Sequence, residues 1–177
     1  YVLPYYDFSR SFFDNNNFAS FNFISQGDNI LKDTNSLRSR MINNLDIQSY
    51  DYFLENGIKN NFNYFLKNTV SAGKNNIEYD SSPHIKFMNI FELVSSFPLV
   101  NINENYSNYL DPKVSLRINP SDMKSYKNEN RQINNDNIFN INRLGLIDTL
   151  ETGNNLTLGL NYKKEKIDNI NKYFELK

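Results

Sequence analysis

Between Leu110 and Asn119 apolar and polar residues alternate without a break. Leu110, Pro112, Val114, Leu116 and Ile118 fall on one parity; Asp111, Lys113, Ser115, Arg117 and Asn119 fall on the other. Successive side chains on a β-strand point to opposite faces, so this stretch predicts a ribbon with one apolar and one charged side. The pattern returns at Leu156, Leu158, Leu160 and Tyr162, interleaved with Asn155, Thr157, Asn161 and Lys163. A sheet of such strands needs an apolar neighbour on one face. A second sheet and lipid both meet that need.

The same alternation, with turn residues between the runs, predicts most of the chain as strand. From Val2 to Phe13, Val2, Tyr6, Phe8 and Phe12 oppose Asp7, Ser9 and Ser11. Asp14–Asn17 reads as a tight turn, because Asn and Asp tolerate the left-handed backbone that hairpins require. Phe18 to Gln26 follows, with Ala19, Phe21 and Phe23 together; Gly27-Asp28-Asn29 and Asp33–Asn35 read as further turn or bulge signals. Ser36 to Gln48 sets Leu37, Met41, Leu45 and Ile47 against Arg38, Arg40, Asn44 and Asp46. Ile58 to Ala72 joins Phe62, Tyr64 and Leu66. Helical spacing also fits there, but the many asparagines favour strand. Gly73–Asn76 reads as a hairpin turn. Pro83 to Val100 is one long run with Ile85, Phe87, Phe91, Leu93, Phe97 and Leu99 on one parity. Pro120–Asp136 reads as a long polar loop. Asn137–Leu146 is an irregular strand-like run, and Asn154–Lys164 is the last of the seven or eight.

The fold class expected is therefore all-β, an antiparallel meander of long strands. The longer runs exceed the usual soluble strand of about 5–6 residues and reach the roughly 9–11 that cross a bilayer at a tilt. A curved segment of a large transmembrane β-barrel and a soluble sheet with one wet face both remain open.

Composition narrows the classes of function. The 177 residues carry a net charge of −1, so no global field favours nucleic acid or an anionic surface. There is no Cys, which removes disulfide and thiolate chemistry from this segment. No run approaches the roughly 18 apolar residues of a membrane helix. Fourteen Phe and twelve Tyr are a large aromatic load for a mean hydropathy of −0.64. The 33 Asn residues fall in strands and loops alike and read as genome bias. Tyr1 is not an initiator Met and the last run has no stop signal, so the chain reads as part of a longer one.

Catalytic chemistry finds no foothold in the pattern. The single His84 has neither Cys nor a carboxylate pair beside it, and no phosphate loop or nucleophile motif is present. No enzyme activity, cofactor or metal is expected. Glu129, Asp148 and Glu151 are neighbours in sequence within or beside a loop. The polar parity gathers Arg38, Arg40, Lys86, Lys113, Arg117 and Lys163, cations that would line a barrel lumen and guide an anionic headgroup. Asp7, Asp46, Glu92 and Asp111 share that face and offset part of the charge.

From Tyr109 onward the chain resembles the barrel domain of the lipopolysaccharide-assembly outer-membrane protein family LptD (OstA/Imp). The residues that carry this are Leu110 and Pro112 in the strand, then Asp136-Asn137-Ile138-Phe139 after the loop. Asn142-Arg143, Asp148-Thr149-Leu150-Glu151-Thr152-Gly153 and Leu158-Gly159-Leu160 follow in order. Leu3-Pro4-Tyr5-Tyr6 and Phe97-Pro98-Leu99 fit more loosely, and Ile138 stands where the family has Leu. The resemblance implies that residues 1–177 form one piece of a transmembrane β-barrel in the Gram-negative outer membrane, without the jelly-roll domain or the gate strands. It implies lipopolysaccharide as cargo, an LptE-like plug lipoprotein, an LptA-like periplasmic bridge reached through the missing domain, and membrane lipid as partners, with no nucleic acid. A porin-like channel and a soluble secreted β-sandwich binding module are the alternatives. Arg143 is expected to pair with Asp136, Asp148 or Glu151 and fold the loop over the barrel mouth.

Overall fold

The computed structural model describes residues 4–13, 18–32, 35–77, 79–121, 131–167 and 169–176; for residues 13 and 169–173 the description is of backbone alone. Val2, Leu3, the Asp14–Asn17 turn and most of the Asp33–Asn35 turn lie outside these residues, as does Glu129.

Ten strands and no helix are found among the described residues: β1 (Tyr6–Phe13), β2 (Ala19–Lys32), β3 (Ser36–Ser49), β4 (Tyr52–Phe53), β5 (Lys59–Lys74), β6 (His84–Ser96), β7 (Leu99–Ile102), β8 (Tyr106–Asn119), β9 (Gly153–Lys166) and β10 (Asn169–Leu176). All pair antiparallel in one sheet, in the order β1-β2-β3-β5-β6-β8-β9-β10, with β4 on β5 and β7 on β8. The sheet is an open meander: β1 and β10 do not pair with each other.

Two of the ten strands are continuations. Ser96 pairs with Lys113 and Leu99 with Leu110, so Phe97-Pro98 lies opposite Asp111-Pro112 with no residue gained or lost. Phe97 and Pro112 form the hydrogen-bonded pair at this point, and Pro112 has no N–H to return, which breaks the long run expected over Pro83–Val100 into β6 and β7. The Phe97 N–H still donates to the Pro112 carbonyl at 3.0 Å. Between β3 and β4 the partners shift from Gln48↔Asn63 to Tyr52↔Asn60, a one-residue bulge. The Ser49 hydroxyl accepts the Phe62 N–H there, at 2.8 Å.

Two sequence expectations are corrected. Gly27-Asp28-Asn29 is no turn; β2 runs straight through it and pairs with β3 along its whole length. Gly27 is the seat of an aromatic ring from the facing strand. A Cβ there would lie 2.2 Å from Tyr6 Cε1, the packing by which an aromatic covers a glycine in a sheet. Asp28 stays in the strand because its Oδ2 accepts from Arg38 Nη2 at 3.1 Å and Arg40 Nη2 at 2.8 Å. Asn137–Leu146 is not a strand but a chain of turns. The Asn134 side-chain oxygen captures the N–H groups of Asp136 and Asn137 at 3.0 and 3.2 Å, an Asx-type turn that competes with any ladder.

Residues 131–152 leave the edge between β8 and β9 and lie across one face of the sheet, here the loop face; the other is the open face. The core sits under that segment: Met88, Ile90 and Leu150 are buried, with Phe65 and Ile141 packed against them. The burial of the two parities is the reverse of a water-facing sheet. Leu158, on the apolar parity, is 75% exposed, whereas Arg117, on the polar parity, is 2% exposed. No second sheet covers the open face among the described residues, since every strand belongs to the same sheet.

Candidate functional site

The register sorts charge by face. Asp7, Asp28, Asp46, Glu92, Asp111, Glu165 and Glu175 all project to the loop face. Among the described residues of the eight long strands, the open face carries no acidic residue. Its charges are cations: Arg10, Lys74, Lys164 and Lys166.

On the loop face, Glu151 is the hub of the covering segment. Arg143 donates through Nε to Glu151 Oε2 at 2.9 Å and through Nη2 to Oε1, a fork that matches carboxylate geometry. Arg117 reaches the same site from β8. Its Nη2 donates to the Glu151 carbonyl at 2.9 Å, its Nε to the Ile141 carbonyl at 3.1 Å, and its Nη1 lies 3.8 Å from the Glu151 carboxylate. Asn119, at the end of β8, donates to that Glu151 carbonyl at 2.7 Å. One segment is therefore stitched to one strand through both side chains and backbone.

Three further contacts hold the segment down. The Lys67 ammonium of β5, nearly fully buried, donates to the carbonyls of Leu146 and Ile147 at 2.9 and 2.5 Å. Tyr79, from the connection between β5 and β6, donates to Asp148 Oδ2 at 2.9 Å. Phe139 rests on Gly159, where a Cβ would meet its Cζ at 2.6 Å, and Lys113 Nζ stands 4.5 Å from the same ring. Beneath them Glu92 accepts from Ser115 at 2.8 Å and from Asn63 at 3.1 Å.

Of the three candidate partners of Arg143, Glu151 is the one it takes; Asp148 belongs to Tyr79, and Asp136 is exposed on the turn. Asn137 braces that turn, donating to the Gln132 carbonyl at 2.9 Å. Gly153 opens β9 at a φ of 97°, a left-handed conformation that suits glycine. Leu110 and Pro112 point away from all of this, on the open face. The expected lumen cations do not act together. Arg117 and Lys113 are covered by the segment, Arg38 and Arg40 share Asp28, and Lys163 pairs with Glu165. Lys67, Tyr79, Asn119 and Glu92 contribute as much as any of them and have no motif around them. In sequence Lys67 is only one of two cations in the asparagine-rich run from Ile58 to Ala72.

Burial, then the hydrogen bond to Asp148 and its charge, pushes the Tyr79 phenol above its ordinary value. A phenol held protonated in the folded state stabilises fully below its unfolded value and loses that stabilisation as pH rises through the folded one. Raising the pH past about 10 is expected to lower the melting temperature with a step that Tyr79→Phe lacks. Circular dichroism melts across that range check it, and identical profiles for the two proteins would refute the coupling.

Among the described residues, no group of three or more His, Cys, Asp or Glu is placed to hold a metal ion. No family model matches the chain, and no curated protein matches it.

Proposed function

We propose that this chain is part of the wall of a transmembrane outer-membrane β-barrel that assembles lipopolysaccharide into the outer leaflet. The observation that carries the membrane half is the open face: rich in exposed apolar side chains, its polar Ser and Asn largely bonded to one another, and free of acidic residues along the described long strands. Lipid tolerates such a face, and a barrel closed by further strands puts the acidic, loop-covered face in the lumen. Strands of 13 to 16 residues from β2 through β9, the two short continuations aside, exceed what a tilted crossing needs.

The connections support the same arrangement. Both long ones, 75–83 and 120–152, share one end of the sheet, together with the short 33–35, and the other end has only short ones, at 14–18, 54–58, 103–105 and 167–168. Outer-membrane barrels carry long loops outside and short turns in the periplasm, so the covering segment enters from the extracellular end.

The lipopolysaccharide half rests on the ordered signature resembling the LptD family. Its residues Phe139, Arg143, Asp148 and Glu151 each have a defined part in fixing the segment to the lumen wall. Lipopolysaccharide is the cargo, an LptE-like lipoprotein fills the remaining lumen, and an LptA-like bridge docks on a domain outside this chain. The inner cations nearest the uncovered part of the loop face, Arg38 and Arg40, are where a substrate phosphate would pass.

Depletion of the full-length protein in its source cell, followed by surface labelling, tests the proposal. Newly made lipopolysaccharide is expected to vanish from the surface. Unchanged surface lipopolysaccharide with impaired uptake of small solutes would favour a channel instead.

A further inference from the structure

On the open face β9 presents Leu156, Leu158, Leu160, Tyr162, Lys164 and Lys166 in succession. The three leucines are each more than half exposed. The order follows a bilayer leaflet from hydrocarbon, through the interface where tyrosine concentrates, to the headgroup level where lysine meets phosphate.

The neighbouring strands complete the lower end of this column. The register sets Tyr106 opposite Lys166 and Asn108 opposite Lys164. The Lys164 ammonium stands 4.4 Å from the centre of the Tyr106 ring, and the Tyr162 hydroxyl lies 3.1 Å from Asn108 Oδ1. Phe174 of β10 extends the aromatic platform, 6.3 Å from the Tyr162 ring. The acids of these strands, Glu165 and Glu175, point to the other face, where Glu165 takes Lys163. The other open-face cations lack this setting: Lys74 stands at the opposite end of the sheet, and Arg10 lies over Phe12.

We propose that Lys164 and Lys166, on the platform of Tyr106 and Tyr162, bind the phosphate of an anionic phospholipid in the leaflet at the short-turn end, with its acyl chains along the leucine column. The proposal rests on the membrane reading above. Charge complementarity selects the occupant: two cations with no carboxylate on their face among the described strand residues, below exposed leucines, suit a molecule that is anionic at one end and apolar along its length. Tyr106 holds the Lys164 ammonium in place before the lipid arrives.

Native mass spectrometry of the full-length barrel, released from bilayers of equimolar phosphatidylglycerol and phosphatidylcholine, tests it. Wild type is expected to retain the anionic lipid over the zwitterionic one by roughly tenfold. The Lys164→Gln/Lys166→Gln double variant is expected to fall to parity, and Lys164→Arg/Lys166→Arg to keep the preference. Excess inorganic phosphate is expected to leave it intact, because free phosphate makes no use of the leucines. A double variant with wild-type preference overturns the proposal, and so does abolition by phosphate, which would mark a free-anion site. If the double variant does not fold, judged by heat-modifiable gel mobility, Tyr106→Leu keeps both cations and is expected to lower the preference about threefold; no change there overturns the proposal equally. A barrel that enters no bilayer refutes the membrane reading itself, whereas one that enters and shows no preference refutes only the headgroup site.

Discussion

Glu151→Ala is expected to destabilise the folded chain by about 3–5 kcal/mol, the loss typical of stranding buried charge. Arg143 and Arg117 are both nearly fully buried and converge on this one carboxylate. Its removal takes from both guanidinium groups, under the segment, the carboxylate they share. The segment then lifts, because Leu150 and Ile141 lie within it and cannot stay packed on Met88 and Ile90 without it. The urea midpoint checks the magnitude, and new protease cuts confined to 131–152 check the mechanism. Arg143→Leu/Glu151→Leu is expected to recover part of the loss, since removing both members of a pair spares the stranded charge. A shift below about 1 kcal/mol for Glu151→Ala would show that the ion pairs do not hold the segment.

Leu158→Arg has the second large effect, and its size depends on the surroundings rather than on the chain. Leu158 is three-quarters exposed, so little of the protein's own packing opposes a longer polar side chain. In water such a change is worth within about 0.5 kcal/mol. At the middle of a bilayer it costs about 2–4 kcal/mol, falling to about 0–1 near the interface. Folding into lipid vesicles, measured by urea titration, is expected to show the full loss for Leu158→Arg and almost none for Asn154→Arg at the end of the same strand. Equal, small effects at both positions would place the open face in water.

Much of the fold is legible in the alternation. It places β3, β5 and β9 within a residue or two of their observed ends and sorts their side chains correctly between the two faces. Strands are readable here because a side-chain period of two survives any choice of neighbour, and the asparagine bias does not disturb it. What fails is local and has physical causes. Gly27 looks like a turn because the ring that needs its empty space, Tyr6, sits on another strand. Phe97-Pro98 looks like unbroken strand because the missing N–H belongs to Pro112, on another strand. The run with Ile141, Leu144 and Leu146 looks strand-like because apolar residues that pack onto a sheet resemble apolar residues within one.

The candidate site is legible in part for a related reason. Arg143 and a carboxylate partner are visible because both lie in one short stretch. Choosing Glu151 over Asp148 requires Tyr79, which takes Asp148 from sixty-nine residues away. Arg117 and Lys113 read as lumen cations open to substrate, and nothing in the strand itself shows that the chain folds back to cover them. Lys67 is invisible as a latch because its partners are backbone carbonyls, which carry no sequence signal.

The central claim is that the open face meets lipid. These 177 residues hold no cysteine, so single spin labels can be placed at any position here once any cysteine elsewhere in the protein is replaced. Labels at Leu156→Cys through Leu160→Cys in the vesicle-inserted full-length barrel test it most directly, read by collision with oxygen, which concentrates in the bilayer, and with a water-soluble nickel chelate. Positions 156, 158 and 160 are expected to be open to oxygen and closed to nickel, with 157 and 159 out of phase. Nickel access at 156, 158 and 160 would contradict the account and return the open face to water.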